Sequence, residues 1–496
     1  MSRFSRRSFV AGLSTIPFAL WFEKYAVAQT KLRIRYNVTS INGQKMLKIY
    51  RQTVGTMVGT AESSPVGWLF QWYTHNVRGD RTKNNEINRV YPGGPSPQKS
   101  LAQEMWNTCQ AHHGEPEDFF LPWHRMYVYF LERIVRKMSG HAEFTLPYWN
   151  YSNAAVASGP RMPKPFIAPA ASTNPLFRTN RNASANGGQP IDQSDPGALD
   201  LTALSQCKYS NSGPSDPIRG FNEELDGGLH GNVHVLIGNG QGMGSVPWAA
   251  NDPIFWMHHC NIDRLWASWN RAGRQNPSTS VWLTKQFIFA DENGNRVVAT
   301  VQDFKRIAPL RYTYDRFEPV PACPPSLAGP EAVLPTQTRA VAPGGPVELA
   351  GAPVQVNLEA PPGPEAENVP LGQRVKQLKP GKRLYVVAKN LRADVQPGVV
   401  YHVYFDLPAG TQPKPGKRDP HYIGTLNFFD AGHPEGDSGM SAMATAKARS
   451  FDVTRVAKSL QATKRLSAKP GLTIAPVKQP EADARPVVGE ITVVEH

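Results

Sequence analysis

Cysteine is nearly absent: the chain has four in 496 residues. So few over that length exclude a fold held mainly by disulfides. Charged residues make up 19%, with 54 Lys and Arg against 40 Asp and Glu, a formal net charge of +14. Past the N-terminus there is no run of about 18 uninterrupted apolar residues, so no membrane span is expected. The basic residues are not grouped with aromatics, and no nucleic-acid partner is expected. No internal repeat is visible. Hydrophobic residues at 40% exclude wholesale disorder.

Proline and glycine, by contrast, are plentiful at 45 and 41, which implies many loops and at least one linker. Length alone suggests two to four domains of about 150 residues each. Ser5-Arg6-Arg7-Ser8-Phe9-Val10 forms a twin-arginine pattern ahead of an apolar run to Phe22, and Ala26-Val27-Ala28 offers a cleavage site. Residues 1–28 therefore read as a signal peptide for twin-arginine export, and the mature chain as periplasmic or secreted.

Residues 29–320 are rich in Trp, Tyr and Phe. Apolar residues at three-to-four spacing predict helices over 101–113, 124–138 and 254–269, with a long loop over 152–216. Residues 321–367, with Pro-Ala-Cys-Pro-Pro and Ala-Pro-Gly-Gly-Pro, read as an extended proline-rich linker. Residues 368–496 turn to short β-branched and aromatic runs at 383–388, 399–405, 422–429, 450–456 and 488–494. Those runs predict a small antiparallel β-sandwich.

Nine of the 13 histidines fall between His75 and His259. His230 and His234 are four apart, so on a helix their imidazoles share a face, about 5–6 Å apart at Cβ. That pair can hold one metal ion. No Glu follows His230, so the His-Glu-x-x-His protease arrangement is absent. In Asn251-Asp252-Pro253-Ile254-Phe255-Trp256-Met257-His258-His259-Cys260-Asn261-Ile262-Asp263-Arg264-Leu265-Trp266, Asn251 or Asp252 can cap a helix with Pro253 in its first turn. Phe255, His259, Ile262, Asp263 and Trp266 share a face. His258 and His259 point about 100° apart on a helix, so one of them, His259, is expected to reach a site on that face. Asp263 is expected to anchor Arg264 or a ring nitrogen. Upstream, His112-His113-Gly114 precedes Phe119-Phe120-Leu121-Pro122-Trp123-His124-Arg125-Met126-Tyr127. Pro122 places His124 in a first helical turn, with Glu132 and Arg133 later as ion-pair partners.

The two motifs Phe-Leu-Pro-Trp-His-Arg-x-Tyr and Asn-Asp-Pro-Ile-Phe-Trp-x-His-His-x-Asn-x-Asp-Arg-Leu-Trp, with His-x-x-x-His before the second, resemble the tyrosinase and catechol oxidase family of dinuclear (type 3) copper proteins. Tyr312-Thr313-Tyr314 resembles the tyrosine motif that closes its catalytic domain. Tyr401-His402-Val403-Tyr404-Phe405-Asp406 and the end of the chain resemble the shielding domain of plant-like polyphenol oxidases. The resemblance implies a mainly α catalytic domain, a four-helix bundle holding two copper ions, followed by the β-sandwich. It implies His75, His113 and His124 as ligands of the first copper and His230, His234 and His259 as ligands of the second, an all-nitrogen set suited to copper. The spacing departs from the family at His113, eleven before His124, so His112 stays open as a substitute. Cys109 resembles a cysteine that forms a thioether to the middle ligand; a plain buried thiol is equally open.

The resemblance further implies oxidation of o-diphenols to o-quinones with O2 as co-substrate and small phenols as substrate. Monophenol hydroxylation is the alternative activity, and oxygen carriage of the hemocyanin kind a remoter one. Asp226, four before His230, stands where relatives carry a Glu that orients a water, which implies a general base for phenols. Gly231, where monophenolase-active relatives have Asn, favours diphenol oxidation. The loop 240–244 with Met243 would border the substrate. The C-terminal domain implies latency relieved by a protease acting in the linker.

Overall fold

The structure, a computed structural model, describes residues 32–110, 119–152, 159–210, 219–323, 339–344, 346–358, 371–379, 381–429, 431 and 448–495. Two long helices, Phe120–Ser139 and Ile254–Arg271, form the axis of a mostly helical first region. Almost all of their residues are buried, because the apolar stripe is wide and the polar residues between are themselves paired inside. The first stops at Gly140, whose φ of 71° is a left-handed cap that glycine adopts without strain. Ile41–Val58 begins at Ser40, whose side chain accepts the Gly43 N–H.

The helix predicted over 101–113 is instead Pro97–Met105. It starts early because Ser96 caps it with Pro97 in the first turn, and it stops because Asn107 turns to a φ of 58°. The stretch 152–216 holds only short turns of helix, Lys164–Ile167, Ala183–Asn186 and Thr202–Ser205, among its described residues.

Two ties close this region. Strand β1 (Arg33–Arg35) pairs in parallel with Tyr312–Tyr314, joining its first and last segments. Cys207 and Cys323 form a disulfide, so two of the four cysteines do staple the long loop to the region's end.

Beneath β1 lies a buried charged network. Asp263 receives Arg35 at 3.1 Å, the Arg125 guanidinium, and the hydroxyls of Tyr312 at 2.6 Å and Tyr314 at 2.5 Å. Arg35 also donates to Glu132 at 2.8 Å, as expected of a structural ion-pair acid. Asp263 thus does not hold Arg264, which instead donates to Asn261 and Glu318. Adjacent residues on a helix diverge, so Asp263 and Arg264 face different neighbours. Arg133 pairs with Glu292.

The C-terminal region is sheet-rich. Four antiparallel strands run in the order Tyr422–Leu426, Tyr401–Phe405, Gly471–Pro476, Val354–Asn357. A second sheet runs Arg449–Asp452, Leu384–Arg392, Val487–Glu495, Arg339–Gly344. Side chains from both sheets enter one buried cluster: Val403, Phe405, Leu472 and Ile474 from the first, Val386, Ile491 and Val493 from the second. The predicted strand over 450–456 ends at Asp452 and continues as the helix Thr454–Ala462. Gly471–Pro476 was not foreseen.

Nor is all of 321–367 linker. Residues 339–344 and 354–357 are strands, each at the edge of its sheet. Proline lacks an N–H and so is tolerated on an edge strand, as at Pro343, and a proline-rich composition therefore does not exclude pairing there.

Candidate metal centre

Four buried histidines, His230, His234, His258 and His259, bring ring nitrogens within 4.8 Å of one another. His230 ends a wide π-type turn, Leu225–His230, that leads into the helix Gly231–Ile237 carrying His234. Such wide turns recur at functional sites. Three of these rings are oriented from behind. His234 Nδ1 donates to Met243 O at 2.7 Å, and His258 Nδ1 lies 2.9 Å from the Tyr151 hydroxyl. His230 Nδ1 faces Asp226, with Oδ1 at 3.0 Å and the backbone oxygen at 3.2 Å.

A carbonyl or carboxylate oxygen only accepts, so His230 and His234 carry their protons on Nδ1 and turn lone pairs outward at Nε2. Those two Nε2 atoms are 3.0 Å apart. Burial, then the neighbouring imidazoles, hold His124, His234, His258 and His259 well below the ordinary histidine pKa. Neutral rings with converging lone pairs repel one another unless a cation lies between them, so the donor set fits a metal ion.

A second buried group, His75, Cys109 and His124, lies alongside. His75 ends the helix Trp68–His75; the helix Phe120–Ser139 begins four residues before His124, which therefore sits one full turn in rather than in the first, its Nδ1 donating to Phe120 O at 2.9 Å. Cys109 Sγ is 3.6 Å from His124 Nε2. The two groups touch: His124 and His259 stack with ring centres 4.2 Å apart at 10°. Phe255 packs against His259 at 4.1 Å and His75 at 5.0 Å.

Of the residues singled out in the sequence, His75, His124, His230, His234 and His259 are thus gathered, and Asp226 stands behind His230. His112 and His113 lie outside the described residues. His258 also enters the site, against the expectation that only one of the adjacent pair would. The groups span more than one helix face: His259 turns toward His124, while His258 stacks on His230 at 5.3 Å.

The C-terminal region covers this centre. Phe429 stacks on the His234 ring with centres 4.1 Å apart at 12°. Asn427 donates to Gly227 O and Asn232 Oδ1, both at 2.8 Å. Arg449 and Ser450 reach Glu224, His402 bonds Asp195 at 2.5 Å, and Lys417 pairs with Asp200. In these last three contacts the helical region supplies the carboxylate. Sequence reasoning missed Phe429, but a signal existed. Phe428 and Phe429 are adjacent on an extended segment, so both cannot enter one core; Phe428 joins the sheet cluster and Phe429 the helical one.

Residues 68–272 match the family model for the common central domain of tyrosinase, and 278–323 the polyphenol oxidase middle domain. The chain is 32% identical over 323 residues to the tyrosinase HcTyr1 of Hahella sp. (strain CCB-MM4), covering 60% of this chain and 66% of that protein. Residues 68–272 thus carry the central domain of the tyrosinase family. The chain is also 29% identical over 261 residues to the latent chloroplastic polyphenol oxidase of Prunus armeniaca, covering 46% of this chain and 42% of that one. It thus spans less than two thirds of these relatives' lengths. Residues 340–496 match a domain of unknown function, DUF7868. The fold is shared with latent apple tyrosinase (TM-score 0.60, 19% identity, 94% of this chain and 98% of that one). It is shared equally with a latent aurone synthase (TM-score 0.59, 20% identity, 94% and 89%).

Proposed function

We propose that the protein is a copper-dependent polyphenol oxidase that converts o-diphenols to o-quinones with O2, latent while its C-terminal region stays in place. The observation that carries the reading is the pair of buried histidine groups in ring contact through His124 and His259. His75, His113 and His124 would hold one copper, and His230, His234 and His259 the other; the relatives are tyrosinases and polyphenol oxidases. When bound, the copper pair supplies the electron relay: two o-diphenols lose two electrons and two protons each, and O2 becomes two waters. The chain's own part is to hold neutral imidazoles rigidly, keep water out with Phe120, Phe255 and Trp123, and seat a planar ring against them.

Phe429 lies flat on His234, the place an aromatic substrate would take. We read it as the plug and residues 368–496, with the strands before them, as the shield. Helices 68–75, 120–139, 231–237 and 254–271 are read as the four-helix bundle, a reading supported by Tyr127 against Phe255 at 6.1 Å and Trp256 at 4.3 Å. The shared apolar cluster of the two sheets supports a β-sandwich. The division into signal 1–28, catalytic domain 29–320, linker 321–367 shortened by its strands, and C-terminal domain 368–496 goes with this reading. So does twin-arginine export to the periplasm or beyond. No described helix is long and apolar enough to cross a membrane.

The test is oxygen uptake by the copper-loaded chain on a monophenol and its o-diphenol, before and after proteolysis between Cys323 and the first C-terminal strand. Oxidation of the o-diphenol that rises after cleavage is expected. Failure to oxidise either phenol after cleavage would end the oxidase reading, and an unchanged rate would end the latency reading. Equal initial rates on the two phenols would make monophenol hydroxylation the better description.

A further inference from the structure

The buried carboxylate of Asp226 lies against the ring of His230. Its Oδ1 lies 3.0 Å from His230 Nδ1, and its own backbone oxygen 3.2 Å from the same nitrogen. Both residues lie in the wide turn Leu225–His230, four apart. Glu224, the other acid nearby, is engaged by Ser450 at 2.7 Å and by Arg449.

The other rings have no such carboxylate beside Nδ1 in the contacts seen. His124 and His234 give their Nδ1 protons to neutral carbonyls, of Phe120 and Met243, and His258 meets the Tyr151 hydroxyl. Among the described histidines of the site, His230 is the one whose Nδ1 faces a carboxylate. The Nδ1 proton of His230 also goes to a neutral carbonyl, the Asp226 backbone oxygen, but the carboxylate charge 3.0 Å from that nitrogen favours a cation held at Nε2. That charge sits where a buried divalent ion would otherwise meet only neutral ligands. The first group shows a carbonyl at the corresponding position of His124.

We propose that Asp226 is a positioning residue that acts through His230, its charge against the ring making the His230–His234–His259 centre the tighter of the two metal sites. The proposal rests on the dicopper reading above and deepens it. It predicts an order of loading: the second centre fills first.

The experiment is titration of the metal-free full chain with Co(II), followed by its visible absorption, for the unaltered protein, Asp226→Asn and Asp226→Glu. The unaltered chain is expected to show two classes of site. Asp226→Asn should weaken the tighter class about 10- to 100-fold and leave the weaker one in place, and Asp226→Glu, which keeps the charge, should restore much of the loss. Matching circular dichroism and thermal midpoints without metal establish that the variants fold. If Asp226→Asn binds both ions within twofold of the unaltered chain and lowers only oxidation of the monophenol, the residue is a base and the proposal falls. An unaltered chain that binds no metal would overturn the dicopper reading itself.

Discussion

Asp263 takes two guanidinium groups and two tyrosine hydroxyls while nearly sealed from water. Removing one partner of such a pair strands a buried charge, a loss of about 3–5 kcal/mol. Its spacing from His259 was legible; its partners were not, because Arg35, Arg125 and Tyr314 lie 228, 138 and 51 residues away. The histidines give a prediction at the same scale. Burial keeps His124, His234, His258 and His259 neutral far below the unfolded value, which is about 6.5. Above that pH both states are neutral and stability does not change on their account. As pH falls through it the unfolded chain takes up protons that the folded site refuses, so stability falls. Thermal melts of the metal-free chain should therefore be level above about pH 7 and drop between about pH 6.5 and 5. A midpoint that rises on acidification through that window would contradict this account.

At the scale of elements, periodicity located Ile254–Arg271 to within two residues, began Phe120–Ser139 four residues late, and failed where a local signal overrode it. The helix before His113 stops at Met105, and strands hide inside proline-rich sequence at sheet edges. The disulfide between Cys207 and Cys323 was invisible because no spacing rule links residues 116 apart. It closes a long loop, and in the chain-entropy view such a link restrains the unfolded chain by roughly 2–5 kcal/mol. Cys207→Ser, or reduction of the native chain, is expected to lower stability by that amount. Urea unfolding with and without reductant measures it, and identical midpoints would show that the link does not restrain the unfolded state.

At the scale of the whole molecule, the sheet region turns one face to the helical region. Along Tyr401–Phe405 the alternation is plain: Val403 and Phe405 enter the sheet core, while His402 meets Asp195 across the boundary. Charge is complementary there, with Glu224 buried against Arg449 and Asp200 against Lys417 near the rim. The exposed pair adds little; the buried contacts and Phe429 hold the cover. Gly231 leaves the space that Asn427 fills, since a Cβ there would come within 2.6 Å of its Oδ1. The glycine expected to mark a diphenol oxidase thus also has a packing reason. Phe429→Ala should raise the o-diphenol rate of the uncut chain severalfold and leave the cleaved chain unchanged, as parallel assays of the two forms would show. An uncut rate that stays the same would move the block to another residue.

The sequence by itself determined the donor types and the helices that carry them, because helical period and the short motifs around His124, His230 and His259 are local properties of the chain. Only the tertiary structure decided which rings meet, that His258 joins them, and that Phe429 lies on His234. Those are contacts between segments far apart in sequence, chosen by packing and burial rather than by any local pattern.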